Sequence, residues 1–263
     1  MSARAVTSLN NPTVKAVRAL HMRKARQASG QFLAEGLKLI VEAVELGRMP
    51  TTLLHAAEAS GLPSFRRVSH ATTRAGGEVV EVSHAILEKV SRRENPQAVV
   101  AVFSQAPAAL TDLDPAAAPA WVALEGVRDP GNLGAIVRTV DAAGAGGVIL
   151  IGETCDPYSV EAVRATMGSI FAVPIYRASA AAFIDWRRTW PGSVVGTLLT
   201  AEVDYRAAPY AAPCLLLMGP EQAGLSTALT ALCDVVVKIP MRGRADSLNL
   251  AVATGVMLYA AIP

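Results

Sequence analysis

The sharpest hydrophobic pattern in this chain lies towards its carboxyl end. Leu215–Met218 is a continuous apolar run of strand length that stops at Gly219-Pro220, and Asp234–Ile239 repeats the arrangement with a β-branched run stopped by Pro240. A polar, glycine-containing loop, Arg242–Asp246, follows. Ser247-Leu248-Asn249 then opens a helix that is apolar nearly all round to Ala260, with only Asn249 and Thr254 polar. Strands without polar alternation are buried on both faces, as in parallel sheets. Their Gly/Pro loops therefore fall on one sheet edge, at the strand carboxyl ends, where open α/β sheets bind ligands. A small and fairly apolar ligand is expected there.

The same rhythm extends upstream. Trp121–Glu125 reads as a strand, Gly126–Gly131 as a turn-rich loop, and Asn132 stands where a helix N-cap is expected. Leu133, Ile136, Val137 and Val140 form the buried stripe of that helix, Gly144 closes it, and Gly147–Ile151 is the next strand. A helix near Ser159–Thr166, a strand near Val173–Ile175, a helix near Ala180–Arg188 and a strand at Ser193–Leu199 continue the alternation, which predicts a parallel sheet covered on both faces.

The first hundred residues read as a smaller α/β unit. Pro12 stands at the first position of a helix over 13–28, which Ser29-Gly30 breaks. A second helix is expected from Glu35 to Leu46, with Leu33, Leu37, Ile40, Val41 and Val44 on one face and Gly47 as its stop. A strand near Thr52–Ala56, a mixed region to Ser69, a strand at Glu78–Val82, a helix at His84–Val90 capped by Ser83 and a closing strand at Gln97–Phe103 complete it. Ala106–Ala120 carries three prolines and no periodicity that buries anything. The expected division is thus residues 1–105, a linker at 106–120, and a second domain over 121–263.

Hydrophobic residues make up 52% of the chain and charged ones 17%, so the chain folds. No apolar run approaches the ~18 residues of a membrane span, and no signal-peptide core is present, so no membrane partner is expected. Three scattered cysteines, Cys155, Cys214 and Cys233, point to reduced thiols in a cytoplasmic protein without structural zinc. From Met1 to Ala34 there are six Lys/Arg and no acidic residue, which fits a polyanionic partner and equally a solvated helix face. Lys15, Arg18, Arg23, Lys24 and Arg26 are the members of that arm on the first predicted helix.

Several chemistries are excluded. There is no GxxxxGK[ST] loop, and Gly144-Ala145-Gly146-Gly147 follows a helix and precedes a strand, the wrong order for a dinucleotide turn. All four histidines, His21, His55, His70 and His84, lie in the first unit, so chemistry in the second runs without Ser-His-Asp, Cys-His or His-metal machinery. What remains at strand ends and helix starts is Asn132, Arg138, Glu221, Ser247 and Asn249. Singly, each has a structural account: Asn132 as a helix cap, Arg138 as a partner of Asp141, Glu221 as an acceptor in a tight loop, and Ser247 and Asn249 at a helix start. Together they mark one ligand site at a parallel sheet edge.

Three segments resemble the signature motifs of the SpoU/TrmH family of RNA 2′-O-ribose methyltransferases, in the SPOUT superfamily. They are Asn132-x-Gly134-x-x-x-Arg138 after Asp129-Pro130; Leu217-Met218-Gly219-Pro220-Glu221-Gln222-Ala223-Gly224-Leu225; and Ile239-Pro240-Met241-x-Gly243 followed by Ser247-Leu248-Asn249. Met167-Gly168-Ser169-Ile170-Phe171 falls between the first two in the right order. In the first unit, Phe32-Leu33-Ala34-Glu35-Gly36, then Glu42-Ala43, and Asn95-Pro96-Gln97 resemble the family's ribosomal-protein-like RNA-binding domain. Departures are small: Glu125 stands where Asp is often found, and Ala98 where Gly is common.

The resemblance implies an α/β SPOUT-type C-terminal domain with a parallel sheet and a deep trefoil knot, one of the rare exceptions to unknotted topology, plus a small N-terminal α/β RNA-binding domain. It implies S-adenosylmethionine, held bent at Gly219, Ile239, Met241 and Leu248, with Leu198 in the preceding loop. It implies a homodimer through the C-terminal domain, which the apolar final helix echoes. The implied reaction is methyl transfer to a ribose 2′-hydroxyl of ribosomal or transfer RNA, with Arg138, Asn132, Glu221, Ser247 and Asn249 as the catalytic set and the basic arm on the RNA. Two rivals are a non-catalytic RNA-binding or ribosome-assembly protein on the same fold, marked by loss of Asn132 or Arg138, and a base methyltransferase. The intact first motif argues against both.

Overall fold

A computed structural model gives the fold and describes residues 4–262. The chain divides into two units: one runs to Ala106 and includes Tyr158–Phe171, and the other comprises Pro107–Pro157 and the chain from Ala172 onward.

The first unit contains, in order, β1 (Arg4–Val6), α1 (Pro12–Ala19), α2 (Arg23–Ser29), β2 (Gln31–Glu35), α3 (Leu37–Glu45), β3 (Thr52–His55), α4 (Pro63–Arg74), β4 (Glu78–Val82), α5 (His84–Ser91) and β5 (Val99–Ser104). Its five-stranded sheet has the order β1-β4-β3-β5-β2, with β1, β4 and β3 parallel and β5 antiparallel to both β3 and β2. Val14 and Val17 of α1 join Leu54, Val80, Ile86 and Leu87 in one core.

Several expectations for this unit need correction. The helix expected over 13–28 is two helices, because the buried Arg26 donates from Nη1 to the carbonyls of Leu20 (2.7 Å) and His21 (3.0 Å) and holds a break between them. The helix expected from Glu35 starts only at Leu37, since Gln31–Glu35 pairs in register with β5 and Gly36 turns the chain at φ 101°. The mixed region before Ser69 holds α4, whose buried side is only Phe65, Val68 and Thr72. Ser83 occupies the N-cap position of α5 without a side-chain bond.

The chain continues with β6 (Ala120–Glu125), α6 (Pro130–Ala142), β7 (Val148–Ile151), α7 (Val160–Thr166), β8 (Ile175–Ala178), α8 (Ala180–Arg187), β9 (Val194–Thr197), β10 (Val203–Asp204), β11 (Cys214–Met218), α9 (Thr227–Thr230), β12 (Val235–Lys238) and α10 (Leu250–Ala261). Seven parallel strands in the order β10-β12-β9-β11-β6-β7-β8 make the second unit's sheet. β6, β7 and β11 lie in its interior, with only Glu125 among their residues less than fully buried, as continuous apolar runs require. The stretch read as burying nothing in fact sends Leu110 and Leu113 into this core beside Trp121 and Tyr176.

α7 also departs from the expected rhythm. It belongs to the first unit, where Tyr158 and Phe171 on its flanks stack with Phe32 and Phe103. Arg164 donates to the buried Glu35 (2.6 Å) and to the Ser91 carbonyl (2.8 Å). The aromatic residues of this cluster are buried, so they offer no stacking platform for bases.

Candidate active site

The site forms where the carboxyl ends of β9, β11 and β12 meet the start of α10. At the end of β11 the chain turns through Gly219–Gly224, closed by the Gly224 N–H on the Pro220 carbonyl (2.8 Å). The turn folds so tightly on itself that a Cβ on Gly219 would overlap the backbone of Gly224 and Leu225. Only glycine fits that close approach. Glu125, at the end of β6, accepts from the Ser226 N–H (2.8 Å) and pins the far end of the loop.

Leu198, Gly219, Ile239, Met241 and Leu248 all line one cavity at these strand ends, and Glu221 and Ser247 share its wall. Three loops from distant parts of the sequence therefore converge on one apolar slot with a carboxylate at its rim.

Beside it, α6 and α10 start next to each other. Asp129, and not Asn132, caps α6: its Oδ1 accepts from the Asn132 N–H at 2.6 Å. A cap three residues earlier suits Pro130 at the first helical position and frees the Asn132 side chain. That side chain donates from Nδ2 to Glu221 Oε1 (3.2 Å) and accepts at Oδ1 from Asn249 Nδ2 (2.8 Å). Asn249 caps α10, its Oδ1 accepting from Ala251 and Val252, and Glu221 Oε1 also accepts from the Leu250 N–H (2.7 Å). The amide orientations follow from one another. The cap needs Asn249 Oδ1, so Nδ2 points at Asn132, which must present Oδ1 and turn its own donors to the carboxylate. Every hydrogen bond in the chain Asn249–Asn132–Glu221 has a matched partner.

The structure thus brings together Asn132, Glu221 and Asn249. Ser247 lies on the cavity wall, and its hydroxyl donates only to the neighbouring Asp246 (3.3 Å). Arg138 is separate: six residues along α6, it sits about 9 Å further along the axis and a third of a turn away from Asn132. It is exposed and makes no hydrogen bond or ion pair with another described residue. It therefore does not sit within the network of its own chain.

In the basic arm, Lys15 and Arg18 on α1 and Arg23 and Lys24 on α2 are exposed. Arg26 is not available to RNA, because its guanidinium is buried in the α1–α2 break. Sequence reasoning missed Glu125 as a loop anchor, although an acidic residue ending an apolar strand needs a partner and is a readable signal. It also missed the capping role of Asp129. The thiol of Cys155 is pushed up to about 11 by burial and then by Asp129, so it is protonated at neutral pH and supplies no nucleophile.

Fold and site together define a parallel α/β protein with an extended ligand slot at its strand ends and a polar, histidine-free surface beside it. Residues 119–259 match the SpoU rRNA Methylase family, and residues 11–101 match the MRM3-like substrate binding domain. The chain is 36% identical over 268 residues to a 23S rRNA (uridine(2479)-2′-O)-methyltransferase of Streptomyces viridochromogenes, covering 99% of this chain and 92% of that one. It is 31% identical to the 23S rRNA (guanosine(2553)-2′-O)-methyltransferase of Bacillus subtilis (strain 168), covering 97% of each. Among solved structures, an AdoMet-bound rRNA methyltransferase from Sinorhizobium meliloti superposes with a TM-score of 0.92 at 49% identity, over 98% of this chain and 97% of that one. The chain belongs to the SpoU rRNA Methylase family.

Proposed function

We propose that this protein transfers a methyl group from S-adenosylmethionine to a ribose 2′-hydroxyl of ribosomal RNA. The observation that carries this reading is the satisfied Asn132–Glu221–Asn249 network beside the strand-end cavity, in a chain of this family. The cavity's residues fit the cofactor. Leu198, Ile239, Met241 and Leu248 offer apolar walls for an adenine ring, Gly219 allows the tight turn that shapes the cavity, and Glu221 places a carboxylate near a cationic ligand. When bound, S-adenosylmethionine supplies an electrophilic methyl on a sulfonium.

The residues of the chain align the acceptor. Asn132 and Asn249 hold the α6 and α10 termini against the Glu221 loop, fixing the surface on which the ribose lies. Ser247 lies beside that surface. Arg138 offers a planar guanidinium with several N–H donors and no acceptor, so it binds anions and is not cast as the general base. Its role is to grip the phosphate next to the reacting ribose and to lower the hydroxyl's pKa electrostatically.

Since Arg138 does not reach the network of its own chain, we place it in the site of a second subunit. α10 packs on α6, with Gly255 against Thr139, and leaves Val252 and Tyr259 exposed, an apolar stripe suited to a two-fold partner. Mixing Arg138→Ala and Asn132→Ala subunits tests this. Heterodimers regain one intact site, for about a quarter of wild-type activity in a random mixture, and a site completed within one chain regains nothing.

The reading carries further assignments. Residues 1–105, joined in their compact unit by Tyr158–Phe171, form the RNA-binding domain, and the rest of 121–263 a SPOUT methyltransferase domain in a cytoplasmic protein. The chain from β11 through α10 is threaded as a trefoil knot. What supports the knot is the sheet order, in which β12 follows β11 in the chain but lies beyond β9, after which α10 returns to pack on α6 and β11.

The test is transfer of label from methyl-tritiated S-adenosylmethionine to ribosomal RNA lacking the modification, with the labelled nucleoside identified by mass spectrometry. The reading expects a 2′-O-methyl nucleoside. Label on a base, or no incorporation, contradicts it.

A further inference from the structure

In the first unit, α1 and α5 lie side by side through Val14, Val17, Ile86 and Val90, and each carries a cation pair three residues apart on the rim between them: Lys15 with Arg18, and Lys89 with Arg92. The four side chains line a concavity together with Ala19. None of the four forms an ion pair with a carboxylate among the described residues. Arg92 also stands in a costly place. It ends α5 in the left-handed region at φ 55°, its N–H on the Glu88 carbonyl, a position that glycine fills with least strain. Only one other described non-glycine residue, Met167, has a positive φ. The strained position is thus taken by an arginine whose side chain lines the cationic hollow. Arg92 also helps to lower the pKa of the neighbouring His21, burial being the larger cause.

We infer that Lys15, Arg18, Lys89 and Arg92 form a phosphate-gripping subsite for the sugar–phosphate backbone of the RNA substrate. The inference rests on the reading of this protein as an RNA methyltransferase, and it adds α5, distant in sequence from the basic arm, to the RNA-contacting surface. Two ridges of paired cations suit consecutive phosphates, contacts that position the RNA and carry no sequence information. His21, half-buried with its Nε2 on the Val90 carbonyl, belongs to the support of this floor and not to the contacts.

The experiment measures equilibrium binding of full-length 23S rRNA against salt, together with S-adenosylmethionine affinity and thermal melting, for wild type, Lys89→Ala/Arg92→Ala and Arg92→Gly. The double variant is expected to bind RNA roughly tenfold or more weakly, with the slope of log affinity on log salt reduced by about 1.5, and to keep its cofactor affinity. Arg92→Gly is expected to melt at a higher temperature while binding RNA more weakly, a pairing that a merely structural role does not produce. Unchanged RNA affinity and slope in both variants, while wild type still binds and methylates RNA, overturns the subsite and leaves the parent reading standing. A wild-type protein that binds no RNA overturns both.

Discussion

The strand-end cavity and the α1–α5 concavity are built on opposite principles. The cavity is made of loops whose backbones approach closely, with apolar walls and a carboxylate whose Oε1 accepts two hydrogen bonds. The concavity is made of four long cations, unpaired among the described residues, on the rims of two short helices. The first suits a small ligand that must be held in one shape, and its energetics rest on burial and fit. The second suits a polyanion, and its energetics rest on counterion release. One sequence thus carries a geometric site and an electrostatic one, and they should fail under different perturbations.

The largest separation is expected at Arg138. Arg138→Ala should lower methyl transfer by about 10²–10³-fold, and Arg138→Lys should restore little, because a lysine lacks the planar two-pronged donor. Cofactor affinity measured by calorimetry should not move in either. Gly219→Ala strikes the geometric site: its methyl would overlap the Gly224 backbone, so cofactor affinity should fall by about 100-fold while RNA binding at low salt is retained. Raising salt from 50 to 200 mM strikes the electrostatic site. Four phosphate contacts predict a loss of roughly 50-fold in RNA affinity, with cofactor affinity nearly constant. The smallest effect concerns the thiols. Burial is the main cause that raises Cys155 and Cys233 to about 11, so at pH 8 both are almost wholly protonated, and iodoacetamide should leave activity within about twofold of untreated enzyme.

The parallel sheet was legible because its interior strands are unbroken apolar runs ended by Gly or Pro, as at Leu215–Met218 before Gly219-Pro220. Helix capping was less so. Asn132 looked like the cap of α6 because Asn is a good cap. The competing Asp129-Pro130 pair won, since it places proline at the first helical position and releases Asn132 for the network. Periodicity alone read α1 and α2 as one helix. The break depends on a tertiary fact, the burial of the Arg26 guanidinium on the Leu20 and His21 carbonyls, and no local pattern reports it. The same holds for α7: its place in the first unit follows from Arg164 meeting Glu35, 129 residues away, and from Tyr158 and Phe171 stacking with Phe32 and Phe103. Of the candidate site, motif resemblance named the residues, and the fold showed which of them touch. Arg138 stands apart because residues six apart on a helix face different ways.

The central claim is a division of labour: the strand-end cavity holds S-adenosylmethionine, and the Asn132–Glu221–Asn249 network shapes the surface that receives the ribose. The most direct measurement is calorimetric titration of S-adenosylmethionine into wild type and Asn132→Ala, paired with single-turnover methyl transfer to ribosomal RNA at saturating cofactor. The account predicts cofactor affinity within about threefold of wild type and a transfer rate reduced by roughly 100-fold. Transfer at the wild-type rate, or a loss explained wholly by weakened cofactor binding, would contradict it.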